Sequence, residues 1–556
     1  MAKTTCFGID LGTTYSAMSF INDMGRAEII EHGGKSIIPS IVYFGSGGTV
    51  VGDDARDKGK DGGEEAQRVV SFAKRNMPFP QPGEDEFEVR GEKFTKKWEF
   101  DGVEYSPVDV SAEVLKHLKS NAEASMQATI ETVVITCPAF FDDIARRRTK
   151  AAAVKGLGLE EKDIRIVEEP VAAALNYALE TGEDIKGKTF LVYDLGGGTF
   201  DITVLTVNDE SGKTVYKVIR TEGNHYLGGG NWDDKIVEFF KEKFFEETGI
   251  QFSLDHADDA DDFYEEDFNL RADAEKRKQN LTNGDSITQT IKFNGQRARV
   301  ELTREKFDEL TSGLLNDTFL LTDTVIEYAK QNGVQHFDAF LLVGGSTYMR
   351  QVPEGLLRRY ANEKALSGIT PIYHEPDKAV AKGAAKQAEM WLAHSVLDEI
   401  APHSTDVPPT QKQLEDGASK MGVTVSQFKT LIDTKVGNVC SESFGIQAYQ
   451  NDTPKIFNLI RRGADRPVTG KSDFVARGCH PEIIIYGNLS MDDSLPVSEG
   501  VVRPQQGYGY PELSEGQDIP VEVELVMSAE GLFDLYVTDL RDGSRQHVTL
   551  ENEKKN

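Results

Sequence analysis

The chain has 556 residues, of which 39% are hydrophobic and 28% charged, and its net charge at pH 7 is −30. This length exceeds what one hydrophobic core supports, so two or three globular domains are expected. The acidic excess argues against a broad nucleic-acid or anionic-membrane surface, and the longest apolar runs are too short to span a bilayer. The start of the chain lacks the layout of a signal peptide, and the four cysteines form no C-x-x-C pair, which favours a reducing cytoplasm. These cysteines are Cys6, Cys137, Cys440 and Cys479.

The first 390 or so residues alternate between strand-like and helix-like segments. The predicted strands are TCFGID (5–10), ETVVITC (131–137), TFLVYDL (189–195) and AFLLV (339–343), and the clearest predicted helices are 110–125 and 379–394. This alternation is typical of an α/β domain.

The pattern changes after residue 394. Residues 395–410 end in a Pro-Pro break that predicts a linker, and apolar residues at helical spacing over 414–432 predict one or two short helices. From about residue 440 the pattern is all strand, with strands expected at 481–487, 520–527 and 532–540. A small β-domain is therefore expected at the end of the chain.

Two segments of the α/β region repeat one device. GIDLGTTY (8–15) and VYDLGGGTFDIT (192–203) each place an aspartate at the end of an apolar run, followed by glycine and threonine. Such a turn presents backbone N–H groups to phosphate oxygens, and an aspartate beside phosphate requires a cation between them. Asp10 and Asp194 therefore predict Mg²⁺, largely bound through water. Two such loops can hold one triphosphate from opposite sides, although each loop alone is also compatible with an ordinary hairpin connection.

Two further segments fit a nucleotide site. LLVGGSTYM (341–349) places two glycines and a serine after a strand, and Glu275, Lys278, Gln279 and Thr282 share one face of a predicted helix. Viewed alone, that face is more typical of a solvated helix surface. The acidic stretch 255–267 is likewise better explained as a solvated helix or loop face than as a partner or cation site. GEDIKGKT (182–189) matches the P-loop pattern letter for letter, but a helix is predicted before it and a strand after it, so the match is accidental.

With these motifs assembled, residues 4–392 resemble the seventy-kilodalton heat-shock (DnaK-type) chaperone family. IDLGTTYS, AKR (73–75), EEPVAAA (168–174), DLGGGTFD, GGGNWD (228–233) and LVGGST occur in this chain. The resemblance implies a two-lobed, actin-like ATPase domain with a duplicated ribonuclease-H-like core, followed by a small all-β sandwich. The expected limits are 1–392 for the ATPase domain, 393–438 for a linker with short helical segments, 439–552 for the β-sandwich and 553–556 for a tail.

The resemblance also implies site residues. The expected catalytic residues are Lys74, Glu169, Asp194 and Thr199. The expected ATP-binding residues are Asp10, Gly12, Thr13, Thr14, Tyr15, Gly196, Gly197, Gly198, Gly228, Gly229, Glu275, Lys278, Gln279, Thr282, Gly344, Gly345, Ser346, Tyr348 and Asp377. Asp10 and Asp194, with Asp201 as a further residue, are expected at Mg²⁺, and K⁺ is a further cation that the family suggests. Pro138, Arg146 and Arg165 match an interdomain or J-domain co-chaperone surface.

The chain departs from the family pattern in several places. At the co-chaperone surface, Glu168 and Val171 replace the polar residues expected around the Glu-Pro pair. Gln279 and Tyr348 stand where the family usually holds adenine between two arginines. The expected linker is longer than usual, with TLIDTK (430–435) as the nearest counterpart of the family's leucine-rich segment, and the chain is expected to lack the helical lid after its β-domain. Rapid, weak binding of polypeptide is expected from a lidless sandwich.

The leading hypothesis is a slow ATP hydrolase that acts as a chaperone and engages unfolded polypeptide through its lidless β-sandwich. One alternative is a nucleotide-operated switch whose β-domain binds one dedicated protein partner, and another is a sugar kinase or a filament-forming actin relative. The expected cofactors are ATP or ADP and Mg²⁺. A nucleotide exchange factor is a further expected partner, whereas nucleic acid and membrane are not.

Overall fold

The computed structural model describes residues 6–78, 86–89, 92–127, 129–181, 185–210, 212–401, 408–437, 440, 442–477, 483–488, 490–497, 502–508 and 518–548. Cys479 and the tail 553–556 lie outside these residues. The described chain falls into two compact units. The first comprises Met1–Phe140, Arg148–Leu205 and Thr221–Thr434, and the second comprises Phe141–Arg147, Thr206–Arg220 and Lys435–Asn556. The predicted domain limits stay a prediction.

Two six-stranded sheets repeat one topology. The first has the order Ile164–Glu168, Val133–Cys137, Phe7–Asp10, Tyr15–Ile21 and Ala27–Ile29, with Ile38–Pro39 also paired to Tyr15–Ile21. The second has the order Pro371–Tyr373, Ala339–Val343, Thr189–Leu195, Phe200–Glu210, Lys213–Asn224 and Thr434–Gly437. In the first sheet Phe7–Asp10 pairs in parallel with Val133–Cys137 and antiparallel with Tyr15–Ile21. In the second, Thr189–Leu195 pairs in parallel with Ala339–Val343 and is hydrogen-bonded on its other side to the next strand, Phe200–Glu210. The predicted internal repeat is therefore confirmed, and it places Asp10 and Asp194 at equivalent strand ends.

The smaller sheets and the helices complete the α/β region. The short strands are Val42–Gly45, Gly48–Val51 and Val69–Val70; Glu86–Val89 and Glu92–Thr95; Trp98–Phe100 and Val103–Tyr105; and Ser286–Phe293 and Gln296–Thr303. The helices are Asp53–Lys60, Gly63–Gln67, Pro107–Met126, Asp143–Leu157, Glu169–Thr181, Gly229–Thr248, Ala260–Asn283, Arg304–Gln331, Gln351–Arg359 and Ala379–Ile400. Single 3₁₀ turns occur at Ala73–Asn76, Glu161–Asp163, Leu254–His256, Gly345–Tyr348 and Lys364–Leu366. The predicted α/β pattern is confirmed, including the strand that begins at Thr189 in place of a P-loop helix.

Local sequence explains where these elements begin and how they pack. Ser106 begins the helix Pro107–Met126 with a reciprocal capping box to Asp109 and a proline at the first turn. The strand Ala339–Val343 is buried along its whole length, as expected of a parallel strand covered on both faces. A Cβ atom at Gly8 would lie 2.0 Å from the backbone nitrogen of Ala385, so only glycine lets the helix Ala379–Ile400 approach the sheet so closely.

Two short helices occupy part of the predicted linker. They span Gln411–Met421 and Val425–Asp433, and each begins with a Thr-x-x-Gln capping box. Phe428 is fully buried in a cluster with Ala393 and Val396 of the helix Ala379–Ile400, which continues past the predicted boundary at residue 392. The prediction of one or two helices is confirmed. TLIDTK, however, contributes mostly to the second helix, and an edge strand begins only at Thr434.

The later part of the chain forms two antiparallel sheets, as predicted. One has the order Ser494–Pro496, Thr453–Ile460, Ser443–Gln450, Ile483–Asn488 and Val502–Tyr508, and the other has the order Val468–Arg477, Asp518–Met527, Phe533–Asp539 and Arg545–Val548. Alternate residues of Asp518–Met527 are buried in a core with Ile485 and Leu535, which is the pattern of a sheet with one covered face. Over the described residues, no helix is long and apolar enough to cross a membrane.

Candidate active site

A cavity of about 620 Å³ opens in the first unit at the ends of the two central strands. Most of the predicted site residues line it. They are Asp10, Gly12, Thr13, Thr14, Tyr15, Lys74, Glu169, Asp194, Gly196, Gly197, Thr199, Glu275, Lys278, Gln279, Thr282, Gly344, Gly345, Ser346, Tyr348 and Asp377. Residues that are far apart in sequence are thus brought together as the repeat predicted.

The two glycine-threonine loops touch each other at the cavity wall. A Cβ atom at Gly197 would lie 1.7 Å from the Thr14 hydroxyl oxygen, and one at Gly198 would lie 2.3 Å from the Thr13 methyl carbon. Side chains at these glycines would therefore force the loops apart. The Thr14 hydroxyl is buried and has no hydrogen-bond partner among the described residues. A buried donor of this kind suits a phosphate oxygen.

Two adjacent glycines and a serine from another segment hold the second loop. The backbone nitrogens of Gly229 and Gly230 donate to the carbonyls of Gly196 (3.0 Å) and Gly197 (2.7 Å). The Ser346 hydroxyl also donates to the Gly196 carbonyl, at 2.9 Å. The loop is consequently held in shape by hydrogen bonds that do not depend on a ligand.

One buried ion pair lies among the carboxylates of the site. The Lys74 ammonium donates to Glu169 at 2.7 Å, with the two side chains only 4% and 9% exposed. Burial lowers the pKa of Lys74, but Glu169 and then Asp10 more than offset it, so the net pKa is raised. Burial and the neighbouring Glu169 raise the pKa of Asp10 to about 7. Burial, followed by Glu169 and Asp201, raises the pKa of Asp194 well above its usual range.

These carboxylates fit a hydrated cation better than a protein metal cage. Among the described residues, no group of three or more His, Cys, Asp or Glu side chains is arranged to hold a metal ion. Burial, followed by neighbouring carboxylates, raises the pKa values of Asp10 and Asp194, and a divalent cation beside them would favour their charged forms. Mg²⁺ usually keeps several waters and one or two protein carboxylates, which matches this pair.

The helix Ala260–Asn283 contributes two charged residues that are held by partners. The Tyr15 hydroxyl donates to Glu275 at 2.7 Å, and Arg56 donates to the other oxygen of Glu275 at 3.3 Å. The Lys278 ammonium donates to the Gly229 carbonyl and to Asp233, both at 2.7 Å. Burial raises the pKa of Asp233 to about 7, although Lys278 opposes that rise. Glu275 and Lys278 are therefore fixed in direction before any ligand binds.

An aromatic pair lies at the Tyr348 part of the wall. The rings of Tyr348 and Tyr373 stack with centroids 5.4 Å apart and an interplanar angle of 16°. Tyr348 lines the cavity, as do the uncharged side chains of Gln279 and Thr282.

Comparison with known proteins identifies the family. A family model described as Hsp70 protein matches residues 6–456. The chain belongs to the Hsp70 family. It is 35% identical to the chaperone protein DnaK of Thermotoga maritima over 572 residues, covering 95% of this chain and 87% of that protein.

Two ribosome-associated molecular chaperones of Saccharomyces cerevisiae are also similar to this chain. Each is 34% identical to it over 416 residues, which is 70% of this chain. The match covers 62% of each yeast protein, so the chain spans less than two thirds of their length.

Several residues expected from the Hsp70 pattern lie outside the cavity lining. Gly198 belongs to the second loop, and Gly228 and Gly229 lie against that loop, since a Cβ atom at Gly228 would lie 2.4 Å from the carbonyl carbon of Gly198. Asp201 is buried and acts on Asp194 through its charge. Of the predicted partner-surface residues, Pro138 and Arg146 are buried, whereas Arg165 is exposed and lies 4.7 Å from the centre of the Trp391 ring.

The sequence reasoning missed other lining residues. These are Ser16, Ala17, Ile37, Gly230, Asp233, Asn283, Val343, Met349, Pro376 and Val380. Most of them are apolar or small and carry no chemical signal. Asp233 is the exception, because it follows GGGNW within a motif that was already noted, and its spacing from Gly229 could have singled it out.

Proposed function

We propose that the first unit binds ATP together with Mg²⁺ and hydrolyses it slowly to ADP and phosphate, in an actin-like domain spanning residues 1–392. The observation that carries this proposal is the contact between two glycine-threonine loops beside the Lys74–Glu169 ion pair. Two loops with outward N–H groups and hydroxyls can hold a triphosphate from both sides. The Hsp70 family membership supports the same reading.

The proposed chemistry is phosphoryl transfer to water. This reaction depends mainly on positioning and on neutralising charge on the transferred phosphate, so it needs no strong nucleophile from the protein. Lys74, aimed by Glu169, supplies a buried positive charge for the terminal phosphate or for the attacking water. Thr199 and the two loop threonines Thr13 and Thr14 supply hydroxyl donors. Bound Mg²⁺ supplies charge neutralisation at the phosphates.

The nucleoside part of the ligand is proposed to lie against the helix Ala260–Asn283 and the turn Gly345–Tyr348. Glu275 and Lys278 are the proposed ribose contacts, and their partners Tyr15 and Asp233 hold them in direction. Asp377 and Ser346 complete this wall, with K⁺ as a further cation near the phosphates.

The second proposed activity belongs to the β-sandwich, residues 439–552, which we infer engages extended or unfolded polypeptide. Its described residues include large exposed hydrophobic side chains, notably Tyr449 at 71% and Val475 at 58% exposure. Single exposed side chains of this kind also occur on ordinary protein surfaces, so the proposal is carried by the Hsp70 family membership. Residues 393–438 are proposed to connect the two domains. The cysteines Cys6, Cys137 and Cys440 are buried, and a cytoplasmic location is proposed for the protein.

The catalytic proposal is tested by steady-state ATP hydrolysis with the Asp194→Asn variant. Loss of the carboxylate charge is expected to lower Mg²⁺-dependent turnover at least about 100-fold, because charge neutralisation at the phosphates is the main catalytic contribution. Asp338→Asn is the matched control. The Asp338 carboxylate accepts a hydrogen bond from the backbone nitrogen of Thr189, at the opposite end of the strand that contains Asp194. Equal turnover in both variants would reject the assignment of Asp194.

The polypeptide proposal is tested by adding one protein in two forms, native and permanently unfolded by reduction and alkylation. The unfolded form is expected to bind and to change ATP turnover, whereas the native form is not. If neither form binds, the β-sandwich is better explained as the docking site of one dedicated protein partner. J-domain proteins and nucleotide exchange factors can be added to the same assay as proposed partners.

A further inference from the structure

A second cavity, of about 950 Å³, lies beside the candidate active site in the first unit. The two cavities share five lining residues, namely Thr13, Thr14, Gly230, Asp233 and Glu275. Thr13 and Thr14 belong to the first of the two glycine-threonine loops. That loop therefore borders both cavities.

The second cavity approaches the proposed ligand from its phosphate end. Of the proposed nucleoside contacts, only Glu275 is among the described residues that line both cavities, whereas Gln279 and Tyr348 line the first alone. Arg75, the residue after the proposed catalytic Lys74, lines only the second. A terminal phosphate held by Lys74 and the loop threonines thus lies next to the second cavity, while the base side of the wall belongs to the first.

Arg75 is fixed at the inner end of the second cavity. Its side chain is buried, and its Nε donates to the His225 carbonyl at 3.3 Å. The Arg75 Cδ would lie 2.8 Å from a Cβ atom at Gly198, a position that is also 2.3 Å from the Thr13 methyl carbon. A guanidinium always carries its charge and can donate two parallel hydrogen bonds to one phosphate. Arg75 therefore places a permanent cation beside both loops that are proposed to hold the terminal phosphate.

The other charges of the second cavity are largely balanced. Four further cations and four carboxylates line it: Arg56, Lys235, Lys241, Arg271, Asp233, Asp234, Glu238 and Glu275. Arg271 lies 3.2 Å from Asp234, and its side chain is 56% exposed. Lys235 lies 2.7 Å from Glu238, and its side chain is 39% exposed. The cations thus range from buried Arg75 to solvent-exposed Arg271.

Such a series suits an ion that passes through rather than one that stays. A route that must release its ion needs groups that attract the ion without holding it tightly. Cations that are already paired meet this need, because phosphate has to compete with a carboxylate for each of them.

We propose that the second cavity is the exit route of inorganic phosphate, which leaves through it while ADP remains bound, and that Arg75 is its first contact there. This inference rests on the proposed ATP hydrolysis and adds a product site to it. ADP that is still bound occupies the first cavity, so phosphate formed between the two loops has no free path past the nucleoside. The second cavity gives it a separate opening.

The test measures how fast phosphate exchanges on the full chain loaded with Mg²⁺ and ADP. Millimolar inorganic phosphate is added, and phosphorus NMR exchange gives both its affinity and its dissociation rate without depending on the speed of hydrolysis. Acid quench of a single ATP turnover gives the chemical step, and a fluorescent ADP analogue gives the dissociation of ADP.

Ala272→Phe is the variant that narrows the route. Ala272 is partly exposed on the helix Ala260–Asn283 and lines the second cavity alone. The added ring is expected to slow phosphate exchange about 5- to 150-fold, the factor that corresponds to moving side chains against close packing. The chemical step and ADP dissociation are expected to stay unchanged. Ala260→Phe, the same change at an exposed position of that helix which lines neither cavity, is the matched control and is expected to behave like the wild type.

Arg75→Gln tests the first contact by affinity instead of rate. Loss of a charge-assisted hydrogen bond is expected to weaken phosphate binding to the ADP complex about 10- to 150-fold. Arg75→Lys, which keeps the charge, is expected to weaken it less. Unchanged affinity for ADP shows that each variant is folded, so this pair decides the question even where Ala272→Phe does not fold.

Four results would overturn the inference. The first is phosphate exchange in Ala272→Phe that stays within about twofold of the wild-type rate. The second is an equal slowing of phosphate and ADP dissociation, and the third is the same slowing in Ala260→Phe. The fourth is a wild-type chain that hydrolyses ATP but whose ADP complex binds no phosphate, or binds it equally well in Arg75→Gln. Failure of the proposed function gives a different result, because the acid quench would then show no hydrolysis by the wild type.

Discussion

Replacing Lys74 by methionine removes the cation of the buried pair and keeps most of the side-chain volume. The N–O distance to Glu169 is 2.7 Å. At an effective dielectric constant of about 20, this distance corresponds to an attraction of about 6 kcal/mol. Breaking one side of a buried pair typically costs about 3–5 kcal/mol, because the remaining charge loses its partner. For a cooperative unit of roughly 400 residues this is a drop of about 4–6 °C in Tm.

The loss is expected to depend on pH. Lys74 lowers the pKa of Asp10, so its removal raises that pKa above its present value of about 7. A carboxyl whose folded pKa lies above its unfolded value destabilises the fold increasingly as pH rises towards the folded pKa. Lys74→Met is therefore expected to be more destabilising at pH 8 than at pH 6, by about 1–2 kcal/mol, since one retained proton changes stability by about 1.4 kcal/mol per pH unit.

The assay is thermal unfolding of wild type, Lys74→Met and the double variant Lys74→Met/Glu169→Gln at pH 6 and pH 8. The double variant removes both charges, so it is expected to recover most of the lost Tm while ATP turnover stays abolished. Two results would refute this reasoning: an equal loss of Tm at the two pH values, or a double variant that is no more stable than the single one.

Three further predictions concern the first unit. Adding millimolar Mg²⁺ without nucleotide should raise Tm more at pH 8 than at pH 6, because Asp10, with a pKa of about 7, is mostly charged only at the higher pH. Equal increases in Tm at the two pH values would contradict this prediction. Phe72 has a φ of 57°, a conformation that glycine adopts more easily than alanine. In a denaturant titration, the free energy of unfolding of Phe72→Gly should therefore exceed that of Phe72→Ala by about 1 kcal/mol. The reverse order would show that the backbone there is not strained. At Gly417 a Cβ atom would lie 2.3 Å from the Phe428 ring. Gly417→Ala should therefore speed amide hydrogen exchange across 411–433, although alanine favours helices. Ser419→Ala, at an exposed position of the same helix, is the control and should not speed exchange.

The sequence predicted the centre of the candidate site because its signal is repeated. Asp10 and Asp194 each lie at the end of a buried strand and precede glycine and threonine. The repeated topology places them at equivalent ends of the central strands of two sheets, and both line the same cavity. Arg56 carried no comparable signal. It is one charged residue in a short surface helix, and its partner Glu275 lies 219 residues away in the chain. Pairs of this kind arise from tertiary packing, which a local pattern does not contain.

The segment after residue 400 shows a different limit of sequence reasoning. The Pro-Pro break predicted a linker. The Thr-x-x-Gln pairs at 410–413 and 424–427 are typical of helix starts and could have predicted both helices. The Tyr348–Tyr373 stack was missed for a third reason. Tyr348 ends a 3₁₀ turn that follows the strand Ala339–Val343, and Tyr373 ends the neighbouring strand, so their proximity becomes evident only from the pairing of the two strands.

The helix Ala379–Ile400 begins two residues after Asp377 of the cavity wall and ends among the residues that hold the two short helices. At 1.5 Å per residue its 22 residues form a rod of about 33 Å. A rod of that length turns a tilt of about one degree at the cavity into a shift of about 0.6 Å at its far end. A Cβ atom at Gly383 would lie 1.9 Å from the Ala172 carbonyl oxygen, so the backbones of the helices Ala379–Ile400 and Glu169–Thr181 are in direct contact there. No long side chain lies between them at this point to accommodate a small displacement. The helix is thus a stiff connection between the wall of the proposed nucleotide site and the cluster that holds the two short helices.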